Sequence, residues 1–97
     1  MRETKHLYQA ILGLKEESEL ERFFADLCTP QELETLAERW EVARLLDRDI
    51  PYRQIYEDTG VSTATVTRVA KALRSGSGYR LVLDRLDRQE RRGKKDA

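Results

Sequence analysis

Ninety-seven residues, 39% apolar and 37% charged, describe one small, highly charged domain with too many Leu, Val, Ile and aromatic side chains for a disordered chain. A single cysteine (Cys28) and a single histidine (His6) exclude a disulfide framework or a zinc site within one chain. Formal net charge is zero, but residues 1–58 hold 8 basic and 14 acidic side chains and residues 59–97 hold 10 and 4, so the C-terminal part alone can attract phosphate.

Leu7, Ile11 and Leu14, with Tyr8 and Leu12 beside them, predict a first amphipathic helix over 3–14, ending near Gly13. Ser18 with Glu21 three residues on has capping-box spacing, and Leu20, Phe23, Phe24 and Leu27 give the stripe of a second helix. Both helices are short and intensely apolar, suited to a partner chain as much as to their own. A chain this size buries only about two-thirds of its unfolded surface, so sharing a core between two copies is a natural remedy. The opening MRETKHLYQAILGL lacks the apolar run of a signal peptide, and no stretch is apolar enough to span a membrane; a cytoplasmic protein is expected.

Thr29-Pro30-Gln31-Glu32 is the clearest helix start: a capping threonine, a proline at the first helical position, and a glutamate that completes the box. This longest helix is predicted to reach about Asp47, with Leu33, Leu36, Ala37, Trp40, Ala43 and one of Leu45 or Leu46 inward. Arg39, Arg44 and Arg48 fall off that stripe. Asp49-Ile50-Pro51 breaks the helix and starts another, PYRQIYED.

Residues 50–74 then read as a helix-turn-helix. Gly60 supplies positive φ at the turn, and Ser62 caps a helix whose inner stripe is Val66, Val69, Ala70 and Leu73. Its outer face carries Thr63, Thr67, Arg68, Lys71 and Arg74, with no acid anywhere in 59–78. Small residues at the start of such a helix allow close approach to base edges. Ser62, Thr63, Ala64 and Thr65 are all small; Ala64 suits a thymine methyl and Thr63 a base or a phosphate. Arg53, Lys71 and Arg74 are candidates for phosphates flanking the groove. Tyr56, where helix-turn-helix pairs usually hold a small residue, and the acids Glu57 and Asp58 depart from the pattern.

Ser75-Gly76-Ser77-Gly78 predicts a stop. A last helix follows from about Tyr79, with Tyr79, Val82, Leu83 and Leu86 inward, and residues 88–97, RQERRGKKDA, read as a frayed, charged tail. No nucleophile–base pair, metal cluster or phosphate-cradling glycine loop is present, so no enzyme is expected. The reading is a sequence-specific transcriptional regulator, a repressor in character, that binds double-stranded DNA. The alternative is a protein-interaction module that keeps the helix-turn-helix shape without binding DNA.

The run Cys28-Thr29-Pro30 through Glu32, Leu36 and Arg39, followed by Gly60 and Thr65-Val66-Thr67-Arg68, resembles the Trp repressor superfamily over about half of the chain. The segment SGYRLVLDRL is similar to the YerC/YecD-type Trp-repressor-like proteins. The resemblance implies a bacterial, all-α protein of about six helices in a single domain over 1–97. It further implies an intertwined homodimer whose recognition helices address successive major grooves about 34 Å apart. By position, Ser62, Thr63, Ala64 and Thr67 match residues that face bases, and Arg53 a phosphate-side arginine. Arg39 and Arg68 match the two arginines flanking the corepressor, and Thr29 and Thr65 the threonines lining its pocket. Val69, however, stands where that pocket has glycine, and Ala72 where it has a serine near the ligand's amino group. A steric block and a lost hydrogen bond imply that tryptophan is not the effector. No cofactor is called for, and any small-molecule effector is of unknown identity.

Overall fold

The computed structural model describes the backbone of residues 1–96 and the side-chain surroundings of residues 1–93. Six helices follow one another: α1 (Arg2–Leu12), α2 (Glu17–Leu27), α3 (Pro30–Asp47), α4 (Tyr52–Thr59), α5 (Thr63–Ser75) and α6 (Gly78–Asp96). No strand occurs among the described residues, and the all-α expectation holds. Among the described residues no helix is long and apolar enough to cross a membrane. Two compact units divide the chain, Met1–Thr35 and Leu36–Ala97.

In the first unit neither α1 nor α2 has a fully buried residue. Phe23 and Phe24 meet edge to face with ring centroids 5.8 Å apart, while Leu12 is 83% and Leu27 48% exposed. The start of α2 corrects the sequence expectation. The helix begins at Glu17, not after Ser18, because the Glu19 carboxylate reaches back to accept the backbone N–H groups of Lys15 (2.7 Å) and Glu16 (3.0 Å). A charged acceptor with two donors outcompetes a lone serine hydroxyl. The Thr29 box forms as expected: Thr29 N–H donates to Glu32 Oε1 at 2.9 Å, and Glu32 N–H to Thr29 Oγ1 at 3.1 Å. Those bonds hold both the Glu19 and the Glu32 carboxyls below the usual glutamate value.

The second unit carries the core. Val42 and Ala43 of α3, Ile55 of α4, Val61 of the turn, and Val66 and Val69 of α5 form one buried cluster, with Trp40, Leu45, Leu46, Ile50, Tyr56 and Tyr79 packed at its margin. Val42 was not expected inside, and Leu33, Leu36 and Ala37, expected inward, are exposed. Apolar residues lie all around α3, so its periodicity names no single face. Among the described side chains of α6 only Leu83 is buried; Val82 and Leu86, expected inward, are 44% and 46% exposed.

Of residues 88–97, read as a frayed, charged tail, those to Asp96 continue α6, and Ala97 lies outside the described residues. The apolar pattern of α6 does end near Leu86, but i,i+4 ion pairs carry the helix on. Arg80 meets Asp84 at 2.8 Å and Arg91 meets Asp87 at 3.3 Å. Arg80 also reaches Asp47 at the end of α3, at 2.8 Å, tying α6 to the helix that leads into the helix-turn-helix. Its two carboxylate partners raise the Arg80 pKa further above its ordinary value.

Candidate nucleic-acid interface

The joint between α4 and α5 is built from backbone requirements. Gly60 caps α4 in the left-handed region at φ 71°, and its N–H donates to the Tyr56 carbonyl. Thr59 stitches the corner: its hydroxyl donates to the Ile55 carbonyl at 2.6 Å and accepts from the Val61 N–H at 3.3 Å. Val61 then drops into the core. Ser62, extended at φ −69° and ψ 155°, accepts the Thr65 N–H on its Oγ at 3.1 Å and so starts α5. Tyr56, the residue that departs from the usual small side chain, lies half-buried against the core margin rather than in the turn itself.

Burial fixes how α5 faces. Val66, Val69 and Ala70 are at most 4% exposed, which pins one side of the helix to α3 and α4. The opposite side therefore presents Thr63, Ala64, Thr67, Arg68, Lys71 and Arg74, all exposed. No carboxylate among the described residues pairs with Arg68, Lys71 or Arg74. Arg53 on α4 is 92% exposed at its side chain, held loosely by Glu57 at 3.5 Å, so it is available to another anion. The structure thus brings Arg53, Thr63, Ala64, Thr67, Arg68, Lys71 and Arg74 out to solvent on the helix-turn-helix. Ser62 and Thr65 have a different first duty. Their hydroxyls lie 3.0 Å apart and are engaged in the cap.

The residues matched to a corepressor pocket differ in exposure. Thr65 and Arg39 are half-buried, Arg68 is exposed, Thr29 is exposed and occupied by its capping box, and Val69 is 1% exposed. Val69 packs within the core cluster, as its place in the inner stripe of α5 predicts. Two cavities lie in the second unit, and of the positions matched to the corepressor pocket only Ala72 lines one of them. One, of about 440 Å³, lies among Arg44, Asp47, Arg48, Arg80, Leu83, Leu86, Asp87 and Glu90. The other, open and apolar, of about 450 Å³, lies beside the stacked Trp40 and Tyr79 and above Ala72, Gly76 and Gly78. No cluster of His, Cys, Asp and Glu among the described residues is suited to a metal ion.

Sequence reasoning missed the Arg80–Asp47 tie and the Thr59 stitch. The second carried a signal, a threonine one residue before a turn glycine; the first joins residues far apart in sequence and carried none.

Comparison with known proteins agrees with this architecture. The family model for the Trp repressor protein matches residues 2–87. The uncharacterised YerC protein of Bacillus subtilis (strain 168) is 44% identical over 90 residues, which span 92% of this chain and 86% of YerC. The crystal structure of a TrpR-like protein from Eubacterium eligens superposes with a TM-score of 0.86 at 43% identity, covering 90% of this chain and 91% of that one. That of a candidate Trp repressor from Staphylococcus aureus gives 0.85 at 36% identity, covering 90% and 88%. With the six-helix order, the glycine-turned helix pair and a family match over nearly the whole length, the chain belongs to the Trp repressor family.

Proposed function

We propose that this protein is a helix-turn-helix DNA-binding transcriptional regulator that acts as a homodimer. The observation that carries the reading is the outer face of α5. It is locked outward by the burial of Val66, Val69 and Ala70, starts with small side chains, and bears three cations with no acid in 59–78. Thr63, Ala64 and Thr67 are assigned to base edges, Arg53, Lys71 and Arg74 to phosphates, and Arg68 to the boundary between them. Membership of the Trp repressor family supports the same assignment.

Exposed apolar surface supports the dimer. Leu12, Leu27, Leu33, Leu36, Leu81 and Val82 are between 38% and 83% exposed in the single chain, apolar surface that a second copy would cover. A second copy covering these helices would set two recognition helices about 34 Å apart on a palindromic site. Tryptophan is not assigned as effector. Val69 belongs to the core, Ala72 offers no hydroxyl, and the open cavity beside Trp40 has an almost wholly apolar lining.

Anisotropy titration of mixed-sequence duplex DNA at two salt concentrations tests the reading. Binding that weakens steeply with salt is expected, and no binding at low salt would refute it. Light scattering at micromolar concentration should give twice the chain mass; a clean monomer would remove the dimer. Calorimetry with free tryptophan should show no micromolar binding.

A further inference from the structure

Helix α6 carries a second basic surface that is independent of α5. From Asp84 to Gly93 no residue is buried, and the helix continues past residue 87, where the family match ends. Its charges are sorted by face. Arg80 and Asp84, then Asp87 and Arg91, pair along one side at 2.8 and 3.3 Å. Glu90 lines the polar cavity together with Arg44 and Arg48. The acids of this stretch are thereby drawn to two faces.

What is left between them is a stripe of Arg85, Arg88 and Arg92. Spacings of three and four residues keep these on one side of the helix, over a rise of about 10 Å. All three are exposed, and no carboxylate among the described residues pairs with them. Arg88 Nε approaches only the Asp84 carbonyl, at 3.4 Å. We propose that the Arg85–Arg88–Arg92 stripe is a phosphate-binding surface for double-stranded nucleic acid, an addition to the α5 interface; it rests on the DNA-binding reading above. Guanidinium groups suit phosphate by fork geometry, and beyond Leu86 the stripe has no apolar neighbour, which suits a polyanion better than a lipid surface. An interfacial membrane helix needs an apolar flank to bury, and residues 87–96 hold no apolar side chain apart from glycine. The surface reads charge, not sequence.

The test is the salt dependence of duplex binding by the full chain. Arg85→Gln, Arg88→Gln and Arg92→Gln together should flatten the log K against log salt slope by about two to three, since each phosphate neutralised contributes about 0.9. The matching triple Lys variant should keep the wild-type slope, because charge is retained. Circular dichroism confirms that both triples keep their helix content; loss of slope in the Lys triple as well would assign the effect to structure and overturn the proposal. A Gln triple with the wild-type slope would overturn it while leaving the α5 reading intact. Failure of the wild type to bind duplex DNA at low salt would remove both. Loss of anionic-vesicle binding in the Gln triple, with its DNA slope unchanged, would assign the stripe to membranes and overturn the proposal.

Discussion

Replacing Gly60 separates conformational strain from crowding at the joint that aims α5. Gly60 sits at φ 71°, and a Cβ placed there would meet nothing within 4 Å. The cost of Gly60→Ala is therefore backbone alone: about 1–2 kcal/mol for an L side chain in the left-handed region. Against this stands about 0.4–1 kcal/mol gained because alanine restricts the unfolded chain. A net loss of about 1 kcal/mol is expected, a fall in Tm of about 4–8 °C for a domain of this size. Gly60→Asn should lose less, since asparagine tolerates this region. Gly76 provides the opposite case. Its φ of −94° is ordinary, but a Cβ would lie 2.7 Å from the Ala72 carbonyl oxygen. There asparagine should be no better than alanine. Urea unfolding at fixed protein concentration, followed by circular dichroism, measures all four variants. The reasoning fails if Gly60→Ala leaves the midpoint unchanged, or if asparagine is as damaging as alanine at position 60.

Replacing Lys71 or Arg74 with alanine should flatten the salt slope of DNA binding by about one each, without moving the urea midpoint. An unchanged slope in both would mean that the face of α5 has been misassigned. Val66→Ala removes two methyl groups from a fully buried site, and a loss of about 2–3 kcal/mol follows from transfer plus the residual cavity. A loss under about 0.5 kcal/mol, the range of a surface site, would place Val66 outside the core. Glu19 and Glu32 titrate below the usual glutamate value of 4.5 because backbone N–H groups bond their charged forms. A carboxyl depressed in the folded state contributes stability present above the unfolded pKa and lost as pH falls through the folded one. Glu19→Gln and Glu32→Gln should therefore flatten the decline of the urea midpoint below about pH 4.5, and an unaltered acid limb would show that the caps do not set it.

Local chemistry determined much of this protein without reference to the fold. Thr29-Pro30-Gln31-Glu32, Gly60 and Ser62 each act on backbone groups within four residues, so the start of α3, the turn and the start of α5 were legible, with their bonds, from sequence. The inner stripe of α5 was legible too, because a 3.6-residue period on a helix with one polar side admits one solution. Where two local signals competed, the sequence misled: Ser18 looked like a cap, but Glu19 satisfied two backbone donors at once. Tertiary structure decided the rest. Which side of the C-terminal half of α3 is buried depends on where α4 and α5 pack, and that put Val42 inside. The Arg80–Asp47 tie arises only in three dimensions. An ion pair between residues 33 positions apart leaves no periodic trace in the chain that forms it.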